Sequence, residues 1–279
     1  MGAVYFNDDG VIYRPDDGLV FYTKPPVDVE ILIVSAGGGG ATDYGSRGGG
    51  GGGAGSYIVS NTITLDRAVY NLTVGRGGNA GSAGSNGGNS SFDILGTALG
   101  GQGGKLISLG GQSQGSNRLL SVADYNIIYA GGSSADSTGA GGGGGSTSIG
   151  TNGYYISTNR YGGGDGGAGK TFNWLIDTSI HAKTGGGGGG GGGGTNGGSA
   201  GTNGAPSTYG AGGHGETHTT HPFGTESGSS GIVYVKYDGT VPLYSGGTIT
   251  TWETKTLHTF ITNLGSGVSQ SESFTLTRI

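Results

Sequence analysis

The chain has 279 residues, of which 72 are glycine, six are proline and none is cysteine, and its net charge is −5. Glycine does not recur at every third position, which excludes collagen, and the lack of cysteine excludes a disulfide framework or a thiolate metal site. The 13 lysines and arginines form no cluster, so a nucleic-acid groove is not expected. No apolar run is long enough to span a bilayer, so membrane insertion is not expected either.

High glycine without a period normally signals disorder. Here only 11% of residues are charged, and 15 Tyr, 7 Phe and 2 Trp accompany several strand-like apolar runs. That balance points to an ordered chain. The N-terminus, Met1-Gly-Ala-Val-Tyr-Phe-Asn-Asp-Asp, has neither a basic region nor an apolar core, so no signal peptide is expected.

Residues 1–27 carry a small repeat: Phe6-Asn-Asp-Asp-Gly-Val-Ile-Tyr13 is echoed by Arg14-Pro-Asp-Asp-Gly-Leu-Val-Phe-Tyr22. Asp-Gly between apolar runs signals hairpins, which predicts a three-stranded meander near 3–6, 11–14 and 19–23. Turn chemistry accounts for the aspartate pairs Asp8/Asp9 and Asp16/Asp17. After Pro25-Pro26, residues 29–36 are almost wholly apolar, as in a central strand. Residues 55–65 and 68–74 alternate as strands do, and 231–237 reads as another. These strands, within 28–75 and 230–238, predict an antiparallel β-sandwich split by a glycine-rich insertion over 76–229. Residues 239–279 read as a separate Thr-rich β segment.

The tracts 37–40, 48–53, 141–145, 162–164 and above all 185–194 cannot build an ordinary core. Glycine is penalised by about 1 kcal/mol per residue in an α-helix and offers a strand no side chain to pack. The ordered alternative is a polyproline-II-type helix, here of glycine, with three residues per turn. Its outward amides can bond to parallel neighbours, and ten residues would form a rod of about 31 Å. Such a bundle needs a sturdier clamp at its ends, and the sandwich strands supply one. The fold class expected is therefore all-β: an antiparallel β-sandwich clamping a bundle of polyglycine-II helices, with loops at the rod ends.

The order Val29-Glu-Ile-Leu-Ile-Val-Ser-Ala-Gly-Gly-Gly-Gly40, Gly-Gly-Ala-Gly-Ser-Tyr57, Tyr70-Asn-Leu-Thr-Val-Gly-Arg-Gly-Gly78, Gly87-Gly-Asn-Ser-Ser-Phe92 and Gly231-Ile-Val-Tyr-Val-Lys-Tyr237 resembles the glycine-rich domain of tailed-bacteriophage tail-fibre proteins. It is similar in layout to the glycine-rich extracellular domain of anaplastic lymphoma kinase receptors, although those carry a signal, a membrane span and cysteines. The resemblance covers about residues 28–238. Glycine tracts alternating with variable loops look like the tip adhesins of T-even-type long tail fibres. That implies glycine helices stacked in a slab, distal loops that bind outer-membrane proteins or surface sugars, and another part that attaches to the fibre. No fixed list of binding residues transfers, because the loops differ between adhesins.

The aromatic residues between the glycine tracts are the candidate receptor contacts: Tyr125, Tyr129, Tyr154, Tyr155, Tyr161, Phe172, Trp174, Tyr209 and Phe223, with Arg160 among them. Binding loops favour Tyr, Trp, Ser, Gly and Asn because such residues give large contact area at low entropy cost. The competing view makes these aromatics caps over rod ends. His214-Gly-Glu216-Thr-His218-Thr-Thr-His221 is the one histidine cluster; His214, His218 and His221 could share a metal, but a polar loop tip is favoured and no metal is expected. Gly164-Asp-Gly-Gly-Ala-Gly-Lys170-Thr171 matches the phosphate-loop pattern, yet it lacks the preceding buried strand and the following helix. No cofactor and no enzymatic activity are expected.

The function expected is that of a tail-fibre or tail-tip adhesin. Its partners would be a host bacterial surface receptor and other tail-fibre or baseplate proteins. It would reside in the virion after synthesis in the host cytoplasm. The alternatives are a purely structural virion or baseplate component and an ice-binding protein. Ice binding calls for a flat, regular face of small residues.

Overall fold

The computed structural model describes residues 4–7, 10–13, 20–41, 48–105, 118–119, 130–133, 139–157, 160–172, 182–183, 209–213, 215, 226–262 and 271–279. All regular elements among them are β-strands. β1 (Val4–Asn7), β2 (Gly10–Tyr13) and β3 (Val20–Thr23) form an antiparallel meander in that order, at the positions of the Asp-Gly signals. Next come β4 (Val27–Val34), β5 (Tyr57–Leu65), β6 (Val69–Gly75), β7 (Ser90–Phe92) and β8 (Gly96–Ala98). The insertion holds β9 (Arg118–Leu119), the hairpin strands β10 (Tyr154–Ser157) and β11 (Arg160–Gly162), and the short pair β12 (Thr171–Phe172) and β13 (Ala182–Lys183). The chain ends with β14 (Ile232–Asp238), β15 (Tyr244–Ser245), β16 (Thr248–Trp252), β17 (Lys255–Ile261) and β18 (Ser271–Arg278).

Two sheets make the sandwich. One runs β16-β17-β14-β4-β5-β9 and the other β15-β18-β6-β7-β8. Every pairing is antiparallel except the two-residue parallel contact of β5 with β9. The segment 239–279 contributes strands to both sheets: β17 pairs with β14, and β18 pairs with β6.

The burial pattern explains why 29–36 reads as almost continuously apolar. Val29, Ile31 and Ile33 of β4 face the second sheet, joining Val233, Val235, Phe260, Tyr70, Leu72, Val74, Phe92 and Leu276 in one core. Leu32 and Val34 face the other way, into a second cluster with Tyr57, Val59, Ile232, Tyr234 and Leu257. A strand buried on both faces loses the polar–apolar alternation of a half-exposed one. The one charged residue within its buried stretch, Glu30, sits half-buried and pairs with Lys236 of β14 at 3.0 Å.

Where the sandwich ends, the hydrogen bonding changes. Ser35 and Ser56 are buried just outside β4 and β5, and Ser90 is buried at the start of β7. Ser35 Oγ donates to the Ser56 carbonyl (2.9 Å), Leu99 N donates to Ser56 Oγ (2.7 Å), and Ser90 Oγ donates to the Val34 carbonyl (2.9 Å). These hydroxyls satisfy main-chain groups at the layer where ladder pairing stops.

Beyond it, segment 35–41 distributes its amides in rotation. Ser35, Gly38 and Ala41 donate to Ser56, Gly53 and Gly50; Ala36 and Gly39 to Gly88 and Ser85; Gly37 and Gly40 to Ser229 and Glu226. Each neighbour steps back three residues as the donor steps forward three, so the period is that of a polyproline-II-type chain. The carbonyls keep the same period with other neighbours, which run parallel and step forward three: Ala36 and Gly39 accept from Gly101 and Gly104, and Gly37 and Gly40 from Gly78 and Gly81, while Gly38 accepts from Gly213. Segment 35–41 is thus a rod ringed by rods. Segment 48–56 does the same toward 99–105, 141–144 and 210–213. The second group, 130–133, 139–145, 148–153 and 162–168, is tied to the first through Gly51 to Gly141 and Ala54 to Gly144.

Glycine is required by this close approach. A Cβ on Gly38 would lie 2.0 Å from the Gln102 carbonyl oxygen, and one on Gly52 2.1 Å from that of Gly38. The longest tract of the sequence, 185–194, lies outside the described residues.

Candidate functional site

The pairings fix the direction of each rod. Segment 35–41 leaves the sandwich at Ser35 and is farthest from it at Ala41, about 19 Å away at 3.1 Å per residue. Gly50 and Gly81 bond beside Ala41 and Gly40, at the same far end. In the second group Gly51 meets Gly141 and Ala54 meets Gly144, so residue 144 is nearer the sandwich than 141. Gly142 pairs with Thr151 and Gly145 with Ser148, which places Gly153 at the far end, and Gly164 pairs with Ala140 there. The hairpin of β10 and β11 therefore joins two antiparallel rods at the tip farthest from the sandwich. The rod residues flanking 42–47, 134–138 and 216–225 end at that same tip.

The hairpin carries two exposed aromatics side by side. Tyr154 is 51% and Tyr155 57% exposed, and Ile156 beside them is also exposed. Tyr155 and Tyr161 are cross-strand partners whose rings meet edge-on with centroids 5.4 Å apart. Tyr154 is opposite Gly162, and its ring occupies the space a Cβ there would need. Both faces of this ribbon are thus open: adjacent strand residues point to opposite sides, yet all four residues of β10 are exposed. The rings hold each other in place, which lowers the rotamer freedom lost on contact with a partner. Arg160 begins β11 in the same hairpin. The sequence criterion of aromatic residues missed Ile156; its signal was a third consecutive bulky residue after Tyr154 and Tyr155.

Other candidates fall elsewhere. Phe172 departs from the loop surface expected of it: it is only 5% exposed and packs edge-on against Tyr57, with centroids 5.0 Å apart. The rod 162–168 runs back toward the sandwich, so β12 arrives over the outer face of the large sheet and Phe172 closes its second core. Lys170 lies 5.9 Å from the same ring centroid. Tyr209 is half-buried against that core. Burial, then the neighbouring Tyr209 hydroxyl, push the Tyr234 phenol well above its usual range. Both residues act as covers for the sheet. Tyr125, Tyr129, Trp174, Phe223, His214, His218 and His221 lie outside the described residues. Among the described residues no group of three or more His, Asp or Glu could hold a metal, and no helix is long and apolar enough to cross a membrane.

The phosphate-loop match has a different use. Gly164 and Gly167 donate their amides to Ala140 and Gly143, and Asp165 and Ala168 donate theirs to Thr151 Oγ1 and Ser148 Oγ. A phosphate cradle would aim such amides at its ligand and open a helix. Here they tie one rod to its neighbours, and Thr171 starts a strand.

Sandwich, ringed rods and a tip bearing an aromatic hairpin together define a class: an all-β protein whose scaffold is a glycine array closed at one end by a two-sheet core. The chain belongs to the glycine-rich domain family, which matches residues 17–238. The match ends with β14, so β15–β18 lie beyond it while completing both sheets. No curated protein and no solved structure matches the chain.

Proposed function

We propose that this protein is a bacteriophage tail-fibre or tail-tip adhesin, carried on the virion after synthesis in the host cytoplasm. It binds a host surface receptor, protein or polysaccharide, through loops on a glycine scaffold. The single observation that supports this most is the hairpin at the tip farthest from the sandwich, where Tyr154 and Tyr155 are exposed and half-buried Tyr161 packs on Tyr155. A rod array fixes the hairpin's two ends, so binding orders little that is not already ordered. Tyrosine offers a broad apolar ring and a hydroxyl, which suits either a protein surface or the face of a sugar.

The opposite end is left for attachment to other tail-fibre or baseplate proteins. There β16 forms the outer edge of the large sheet, with all five residues exposed and uncharged. A neutral edge strand suits main-chain pairing with a neighbouring protein.

The test is capture of host outer-membrane components by the purified protein, compared with a Tyr155→Ala/Tyr161→Ala variant. We expect capture by the parent and binding weakened at least about thirtyfold in the variant, as for a hot spot, with an unchanged melting temperature. Absence of any binding to host cells would leave the structural virion role in its place. Full binding by the folded variant would remove the hairpin from the contact surface.

A further inference from the structure

A rod of this kind carries its amides in rows set by the three-residue period, and each buried amide needs an acceptor. In rod 99–105 the row Gly101 and Gly104 donates to the carbonyls of Ala36 and Gly39. The row one residue earlier is served differently: Gly100 donates to Asn89 Oδ1 (2.9 Å) and Gly103 to Asn86 Oδ1 (3.0 Å). The second group repeats the device. Gly164 and Gly167 donate to main-chain carbonyls, whereas Asp165 donates to Thr151 Oγ1 (2.5 Å) and Ala168 to Ser148 Oγ (2.7 Å). In both cases two side-chain acceptors stand three residues apart on an antiparallel neighbour, in step with the rod they serve. Asn86 and Asn89 are exposed while Gly100 and Gly103 beneath them are buried, so these pairs lie on the perimeter of the array.

We propose that Asn86/Asn89 and Ser148/Thr151 terminate the glycine array, filling the donor rows onto which a glycine rod of a second copy of this chain would otherwise dock. An array bonded in several directions has the same weakness as a sheet edge: unfilled rows invite another chain. Side-chain oxygens at the lattice spacing satisfy those rows without offering the continuing set of donors and carbonyls that further growth needs.

The experiment uses the full chain with Asn86→Ala/Asn89→Ala, read by amide hydrogen exchange and sedimentation velocity. Exchange at Gly100 and Gly103 is expected to rise about fivefold or more relative to Gly101, the size of a lost net hydrogen bond. Larger species are expected to grow with concentration. Asn86→Asp/Asn89→Asp keeps acceptor oxygens and should retain the parental exchange ratio. Ser148→Ala/Thr151→Ala, read at Asp165 and Ala168 against Gly164 and Gly167, decides the matter if the first variant does not fold. Exchange at Gly100 and Gly103 rising no more than at Gly101, or unchanged sedimentation of the folded variant at every concentration, overturns the proposal. Loss of the fold in both alanine variants also overturns it, because these side chains would then belong to the scaffold itself.

Discussion

The sandwich and the glycine array solve the same problem with opposite materials. In the sandwich, position is set by side chains: Ile31 and Ile33 look one way, Leu32 and Val34 the other, and moving a strand by one residue would exchange the two sets. In the array, position is set by main-chain bonds with a period of three, and the residues that matter most have no side chain. A net hydrogen bond contributes about 1 kcal/mol, while ordering a residue costs about 1–2 kcal/mol and glycine the most. Rods of seven or so residues therefore stand because their ends are continuous with buried strands. Stability resides in one region, and reach and rigidity in the other.

Substitutions can break or sharpen that contrast. The largest effect is expected in the sandwich: Phe92, fully buried and stacked on Tyr70, should cost about 3–5 kcal/mol on change to alanine, measured by denaturant unfolding. The array gives the more discriminating pair. Gly38→Ala drives a methyl into the Gln102 carbonyl and should cost about 1–3 kcal/mol. Gly81→Ala, whose methyl would meet only the Ala83 oxygen at 3.5 Å, should stay within about 0.5 kcal/mol. Equal effects of the two glycine changes would show that the rods are not packed backbone to backbone.

A smaller effect is tied to pH. His258 is fully buried between the Tyr237 hydroxyl (3.0 Å from Nε2) and the Gly246 carbonyl (2.8 Å from Nδ1). The Gly246 carbonyl can only accept, so Nδ1–H donates to it, and the Tyr237 hydroxyl, which accepts from Leu243 N, donates to Nε2. Burial lowers its pKa below the ordinary 6.5, against a smaller opposite pull from the Gly246 carbonyl. The unfolded chain then binds more protons, so this contribution to stability is present above about pH 6.5 and declines as pH falls toward the folded-state value. Melting curves from pH 7 to pH 5 should show a steeper decline for the parent than for His258→Asn.

The smallest effect is a gain. Glu253 has φ of 49° in the two-residue turn between β16 and β17. Glycine there should stabilise the protein by up to about 1 kcal/mol, the scale of the left-handed penalty, seen as a raised melting temperature.

Much of the sandwich was legible in the chain. The meander near residues 3–23 and the strands at 29–36, 55–65, 68–74 and 231–237 are local patterns, and each appears within a residue or two of its expected place. The period of three was legible only as a possibility, because a glycine tract carries no side-chain pattern from which to read a period. The Thr-rich end looked separate because nothing local tells Ser271–Arg278 that its partner is Val69–Gly75, about two hundred residues earlier. At the candidate site, exposure of the Tyr154–Tyr155 pair matched the composition of its loop. Phe172 did not, since its burial depends on a rod that returns it to the sheet beside Tyr57.

Sequence alone determined the class of element at each place: alternation and apolar runs make strands, and glycine in blocks permits backbones to touch. Tertiary structure decided which tract lies beside which, at which end the tyrosines emerge, and which amides are met by asparagine, serine or threonine oxygens. The physical reason is that a hydrogen bond between two glycines is the same wherever they lie in the chain. Neighbours in the array are therefore chosen by how the anchored strands deliver them, not by the tracts themselves.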